Sequence, residues 1–475
     1  MDLTHFLEGE ALRSKHIEKI FFYRICGTGM GACACLAKEA GYKVAGADLS
    51  FSPPMSTYLE ESGVETYPLD DITTEKLQEY DLIIVGNSVP RVSKYAEQIE
   101  SAGVSFTSFP AFLGEFILKS KEVIGVAGTH GKTTTTFFLT QMLEVMGLDP
   151  GYFIGGIIEG RPPSKLGTNY FPIESDEYDS AYFQKISKFR LYELNHMILT
   201  SLEFDHADIF GSIEDIKNEF RAILPNFPGK IIANDAYPAI HELKEEFSDK
   251  EWILYGEQSD VGPKNINVSN KISTFEIELG GEKVLFESNV IGTHNILNLS
   301  ACVLLMHSLG QTKESLQAAV KSLGLVKRRQ EERGHYRGSL VIDDFAHHPK
   351  AIKLTLEALK QKYPERSVLT VFEPISATAR SSIFQKEFAE SLEVSDQVIM
   401  AMNPLPTTVK GTENLSGDQI VSHLSSKNIQ AVKVNELAQL RAEIDARVKE
   451  DTLLVILSNR TCLGLWESDF VQALS

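Results

Sequence analysis

The strongest chemical signal in the chain is the run Gly128-Thr129-His130-Gly131-Lys132-Thr133-Thr134. A glycine-rich turn after an apolar strand, closing on Gly-Lys-Thr at the head of a helix, cradles phosphates with backbone N–H groups. Its lysine reaches β- and γ-oxygens, and its first threonine hydroxyl is offered to Mg²⁺. Val126 stands where the strict phosphate-loop pattern has its first glycine, so this is a variant of the common loop. Further on, Glu174-Ser175-Asp176-Glu177-Tyr178-Asp179 packs four carboxylates into six residues at the end of an apolar stretch. Such a run is ordinarily a solvated turn. Behind a phosphate loop it also has the oxygen donors that a hard cation bridging nucleotide phosphates requires, and Glu174 is the first candidate.

Four further places carry polar groups at the ends of apolar runs. Gly27-Thr28-Gly29-Met30-Gly31-Ala32, with Asp48 downstream, nearly copies a dinucleotide fingerprint, but glycines and a helix N-terminus would hold any nucleotide diphosphate. His206 lies between Asp205 and Asp208 after Met197–Leu202, which leaves open a second metal site or an orienting network. Asn295 and Asn298 share one helix face after Gly292-Thr293-His294, able to read an adenine edge or simply to cap and pack. Asp343-Asp344-Phe345-Ala346-His347-His348-Pro349 pairs acids with histidines, but lacks the spaced Cys/His set of a zinc site.

Three openings position these groups: IEKIFFYRICGTGMG, KEVIGVAGTHGKTTT and GSLVIDDFAHHP. Each passes from a β-branched apolar run through a turn into a helical pattern, as the first βα unit of a parallel sheet does. Further strands of this kind are expected at 81–87, 230–235, 367–374 and 451–459, and the alternating stretch 251–292 reads as antiparallel strands added to the middle of the chain. The reading is α/β, with three domains in series, 1–119, 120–326 and 327–475. At 475 residues a single hydrophobic core is excluded.

Composition narrows the partners. The chain has 65 acidic against 46 basic residues, a net charge of −19, and so repels nucleic acid and anionic membranes; an anionic substrate needs a local device to hold it. Five cysteines without a CxxC pair argue against a disulfide framework and for a reducing cytoplasm. The opening MDLTHFLEGE has no apolar h-region and no run approaches 18 apolar residues, so neither signal peptide nor membrane insertion is expected.

In order and spacing, GTHGKTT, the acidic E-x-D-E, a D-H after a strand, G-x-H-N-x-x-N and DD-x-A-HHP resemble the Mur ligases of peptidoglycan metabolism across nearly the whole chain. GADLSFSPPMS, ESDEYDSAYF, SKF and LEFDHADIF look closer to the branch that adds a preformed peptide than to the one that adds L-alanine. Phe345, where alanine-adding relatives usually carry Tyr, and the extra segment YFQKISKFRLYEL point the same way.

The resemblance implies a Rossmann-like domain for a UDP-sugar, a central phosphate-loop ATPase domain with a small antiparallel addition, and a Rossmann-like domain for the incoming amine. It implies ATP-dependent amide formation through an acyl phosphate, with UDP-N-acetylmuramate and the tripeptide L-Ala-γ-D-Glu-meso-diaminopimelate as substrates in peptidoglycan recycling. The alternative is the L-alanine ligase of de novo synthesis. Gly128, Thr129, His130, Gly131, Lys132, Thr133 and Thr134 would take ATP, with His294, Asn295, Asn298, Arg329 and Asp344 on the nucleotide. Thr133, Glu174 and His206 would hold Mg²⁺, with Lys132, Glu174 and His206 in the catalytic role. Gly27, Thr28, Gly29, Met30, Gly31 and Asp48 would meet the UDP-sugar, and His348 the substrate. A monomer or weak homo-oligomer is expected. Two departures stand in the third domain: Ile375 replaces an expected Arg after Phe372-Glu373-Pro374, and Arg460-Thr461 replace glycines after Ser458-Asn459. The cations left for the peptide carboxylates are Arg380, Lys410 and Arg460, of which Arg380 and Arg460 are preferred as bidentate donors.

Overall fold

The computed structural model describes residues 1–155, 161–269, 272–324, 328–407, 409 and 411–475. Lys410 and the expected boundary at 326 lie outside the described residues. The chain forms two compact units. The first contains Met1–Glu203, Ile213–Val261 and Ala301–Ala319; the second contains Phe204–Ser212, Gly262–Ser300 and Val320–Ser475.

Among the described residues the first unit holds two large sheets and a two-stranded hairpin. Lys19–Tyr23, an apolar run buried after its first residue, is paired on either side with Lys43–Asp48 and Leu82–Val85. Glu65–Pro68 and Phe106–Ser108 close the edges, all in parallel. The strand order reverses at Lys19–Tyr23, so the turn beginning at Gly27 opens at the switch point where open α/β sheets bind ligands. The second sheet runs, edge to edge, Glu251–Tyr255, Lys230–Asn234, His196–Leu199, Glu122–Ala127, Tyr170–Ser175, Tyr152–Phe153, Ser164–Lys165. Only the last pair is antiparallel. The central strand Glu122–Ala127 therefore has Tyr170–Ser175 on one side and His196–Leu199 on the other. Three strand ends separated in sequence by dozens of residues meet there.

The second unit has a three-stranded antiparallel sheet, Lys264–Ser269, Ile272–Leu279 and Glu282–Ser288, whose alternating burial matches the alternating sequence. Glu251–Tyr255, expected with these strands, instead lies parallel on the edge of the central sheet. The six-stranded sheet runs Glu331–Tyr336, Ser339–Asp344, Thr452–Ser458, Ser367–Glu373, Gln397–Ala401, Gln430–Val434 and is parallel except for its first strand. Thr452–Ser458 is buried along its whole length, as expected of a central parallel strand. Among the described residues no helix is long and apolar enough to cross a membrane.

Candidate active site

The loop after Glu122–Ala127 is bound tightly to its neighbours. Gly128 has φ +130°, and a Cβ there would fall 2.5 Å from Thr200 Oγ1 and 2.7 Å from the Ser201 carbonyl, so only glycine fits. Ser201 Oγ accepts from His130 N at 2.8 Å, Thr200 Oγ1 donates to the His130 carbonyl, and Thr129 Oγ1 accepts from Glu203 N at 2.9 Å. Gly131, at φ +82°, then turns the chain into the helix Lys132–Val145, whose first turn receives no side-chain cap. Its uncapped N–H groups and positive dipole end suit an anion.

Charge is concentrated in the same place. Lys132 Nζ donates to the Gly128 carbonyl at 2.6 Å and to Glu177 Oε2 at 3.1 Å, while Glu177 Oε1 accepts from Gly128 N at 3.3 Å. Burial works against the Lys132 charge, but Glu177, Asp176 and Glu174 outweigh it and raise the ammonium above its usual range. Thr133 Oγ1 donates to Glu174 Oε2 at 3.1 Å, and Gly155 N donates to Glu174 Oε1 at 2.8 Å. A hydroxyl beside a carboxylate is an all-oxygen donor set of the kind Mg²⁺ takes, and a lysine beside an uncapped helix end fits phosphate, so these residues suit a magnesium nucleotide. Thr134 is buried on the core side of the helix. His130 sits 3.4 Å from Glu203.

At the other turn of this unit, Gly27 and Thr28 are exposed at the uncapped start of the helix Thr28–Glu39, whereas Met30 and Gly31 face the core. A Cβ on Gly31 would sit 2.1 Å from Met55 Sδ, and one on Gly29 3.3 Å from the Phe109 ring. Asp48 is buried, accepts from Cys26 N at 2.8 Å and Leu49 N at 2.7 Å, and pairs with Arg24 at 3.2 Å. In this state its carboxylate is engaged with the turn itself.

In the second unit, Asp205 is surrounded by imidazoles. Burial raises its pKa, but His206, His348 and His347 more than reverse this and bring it to about 2. His206 adopts φ +54°, with its N–H on Asp205 Oδ1 at 2.7 Å. His348 meets the Phe384 ring edge-on at 4.9 Å. Asp344 is spent on backbone, accepting from Gln330 N at 2.8 Å and Ala346 N at 2.7 Å, and Arg329 lies 4.9 Å over the Phe345 ring. His294 is held neutral by burial, with its pKa lowered to about 4. Asn295 donates to the Ile291 carbonyl at 3.1 Å, and both Asn295 and Asn298 are buried. Arg380 keeps a buried Nε without a hydrogen-bond partner among the described residues, Arg460 is exposed, and Ile375 is buried, at 9% exposure.

Comparison with known proteins accounts for this arrangement. Three family models match in succession: the Mur ligase family catalytic domain over 19–121, the Mur ligase middle domain over 126–306, and the Mur ligase glutamate ligase domain over 328–460. A UDP-N-acetylmuramate–L-alanyl-γ-D-glutamyl-meso-2,6-diaminoheptandioate ligase from Haemophilus influenzae is 36% identical over 462 residues, covering 94% of this chain and 98% of the relative. This chain is a Mur ligase. The crystal structure of a murein peptide ligase from Psychrobacter arcticus 273-4 superposes with a TM-score of 0.71 at 31% identity, covering 96% of this chain and 98% of that one. A UDP-N-acetylmuramate–L-alanine ligase from Streptococcus sanguinis is 30% identical over 461 residues, covering 96% of this chain and 97% of the relative.

Several groups of this Mur ligase escape a reading by motif. Glu177 holds Lys132, yet within its acidic run nothing separates it from Asp176 or Asp179. Thr200, Ser201 and Glu203 clamp the phosphate loop from the neighbouring strand end, and their polar run after Met197–Leu199 was the available signal. Lys188 Nζ donates to Asp176 at 2.8 Å and lies 5.8 Å from the centre of the Phe109 ring, bridging the acidic run and the residue packed on Gly29. It belongs to the extra segment, whose strand Gln184–Ser187 pairs with the preceding Asp179–Ala181 in a two-stranded hairpin.

Proposed function

We propose that this Mur ligase joins the lactyl carboxylate of UDP-N-acetylmuramate to the amino group of L-Ala-γ-D-Glu-meso-diaminopimelate, with ATP cleaved to ADP and phosphate. Reuse of a preformed peptide makes this a step of peptidoglycan recycling in the cytoplasm. The observation that carries the reading is the charged phosphate loop of Lys132, Thr133, Glu174 and Glu177, in a chain matched end to end by peptide-adding relatives.

A carboxylate is a poor electrophile at neutral pH. The γ-phosphoryl group passes to the lactyl oxygen, and the amine then attacks the acyl carbon and expels phosphate. Lys132 and the N–H groups from Gly131 onward neutralise phosphoryl charge against the chain's net charge of −19. Thr133 would hold a magnesium ion at the ATP phosphates and Glu174 and His206 a second one, and these ions would supply further charge neutralisation. We assign residues 1–119 to the UDP-sugar, 120–326 to ATP and 327–475 to the amine. Gly27, Thr28 and the turn to Gly31 serve the diphosphate; His294, Asn295, Asn298, Arg329 and Asp344 serve the nucleotide. His348, Arg380 and Arg460 serve the substrate carboxylates. No nucleic acid or membrane partner enters this reading, and the working state is a monomer or weak homo-oligomer.

Phosphate release with ATP, UDP-N-acetylmuramate and a panel of amines tests it. Turnover with the tripeptide should exceed that with L-alanine; the reverse order assigns the chain to the alanine-adding branch, and no amine-dependent release overturns the ligase reading. Replacing Arg380 or Arg460 should raise the tripeptide KM and leave those of ATP and UDP-N-acetylmuramate nearly unchanged.

A further inference from the structure

The loop after the buried strand Thr452–Ser458 takes an expensive path. Cys462, Leu463 and Gly464 have φ of +55°, +50° and +83° in succession. Two of the three carry side chains that disfavour the left-handed region, and such geometry persists only where surrounding groups over-determine it. One carboxylate does most of this. Glu373, 2% exposed at the end of the adjacent strand Ser367–Glu373, accepts three hydrogen bonds from the loop: Ser458 Oγ at 2.6 Å, Cys462 N at 3.1 Å and Leu463 N at 2.9 Å. Ser458 Oγ in turn accepts from Arg460 N at 2.9 Å, so the chain of contacts runs from Glu373 to the backbone of Arg460. From the other side, Arg328 donates to the carbonyls of Ser458 at 2.6 Å and Arg460 at 2.8 Å.

What this brace presents is polar. Asn459 Oδ1 is shielded from solvent and accepts no hydrogen bond from the described residues, while Arg460 is exposed. A shielded acceptor without a donor suits an ammonium, and an exposed guanidinium suits a carboxylate; an amino acid or peptide substrate carries both. We propose that Glu373 is a positioning residue for the amine substrate, acting through the Asn459–Gly464 loop and making no contact with substrate itself. The inference rests on the ligase reading above, but not on which amine is used.

Steady-state kinetics of the full chain test it, with each of the three substrates varied in turn. Glu373→Ala should raise the amine KM by ~10- to 100-fold, the scale for a misplaced substrate-holding element, with the KM values for ATP and UDP-N-acetylmuramate within about twofold of wild type. Glu373→Gln keeps one acceptor oxygen and should recover part of that loss. Ser458→Ala removes only the Ser458 link and should give a smaller rise, about three- to tenfold, in the same parameter alone. If Glu373→Ala does not fold, the other two variants decide. An unchanged amine KM in both overturns the proposal, as does a parallel rise in all three KM values, which marks a purely structural role. If the wild type prefers L-alanine to the tripeptide, the function reading fails while the same measurement with L-alanine still judges Glu373.

Discussion

Two glycine-rich turns in one unit each follow a buried parallel strand and open a helix without a side-chain cap, yet they are built for different work. At Gly27–Gly31 the glycines admit apolar neighbours, Met55 against Gly31 and Phe109 against Gly29, and the nearby Arg24 and Asp48 are spent on each other. At Gly128–Thr134 the turn admits polar backbone and hydroxyl groups of Thr200 and Ser201, and it is laced with charge through Lys132, Glu177 and Glu174. Glycine spacing therefore reports how closely something may approach the backbone. Whether a turn can carry phosphoryl chemistry depends on what the adjacent strand ends bring to it.

The sharpest break of this contrast is Lys132→Ala. Removing the only lysine of the phosphate loop should lower turnover by ~10²- to 10³-fold, as for loss of one preorganised charge-stabilising group, with the thermal unfolding transition retained. Turnover within about threefold of wild type would deny the loop its phosphoryl role.

Stability separates the turns next. Gly128→Ala must place a Cβ at φ +130° within 3 Å of Ser201 backbone atoms and should cost about 2–4 kcal/mol in urea unfolding. At Gly27 the nearest atom to a new Cβ is the Arg24 carbonyl at 4.0 Å, and Gly27→Ala should change stability by less than about 1 kcal/mol. Equal losses would erase the distinction.

Glu174→Ala tests the metal side of the charged turn. It should raise the magnesium concentration for half-maximal rate by about 10-fold or more, with UDP-sugar binding little affected. An unchanged magnesium dependence would leave Glu174 a structural partner of Thr133 and Gly155.

The smallest effect sets a cation kept by charge against a base kept neutral by burial. Lys132 is held protonated by its acids, whereas His294 has its folded pKa lowered from 6.5 to about 4. Its stabilising contribution is therefore complete above about pH 6.5 and is lost as pH falls toward 4, where the unfolded chain binds the proton more readily. The imidazole NMR signals of His294 should be those of a neutral ring at pH 5.5; a His294 that titrates near 6.5 would contradict its desolvated setting.

The local elements were legible because their causes are local. Apolar β-branched runs at 19–23, 122–127, 339–344, 367–373 and 452–458 form strands, and the turn at Gly131-Lys132-Thr133 opens a helix, because period and turn chemistry act over a few residues. Glu251–Tyr255 was misplaced among the antiparallel strands because periodicity carries no pairing partner. Its neighbour, Lys230–Asn234, is chosen by the sheet.

By itself, the sequence determined the α/β class, the three strand–turn–helix openings and Lys132, Thr133 and Glu174 as the chemical candidates. Tertiary structure alone decided which acids meet which cations. Glu177 reaches Lys132 across 45 residues, and Glu373 reaches the Cys462 and Leu463 amides across 89 and 90. In both cases the partners sit at the ends of strands that are neighbours in the sheet and distant in the chain, with Tyr170–Ser175 beside Glu122–Ala127 and Ser367–Glu373 beside Thr452–Ser458. A parallel sheet cannot join neighbouring strands by a tight turn, so its side-by-side contacts are set by crossover order and helix packing, which no local spacing encodes.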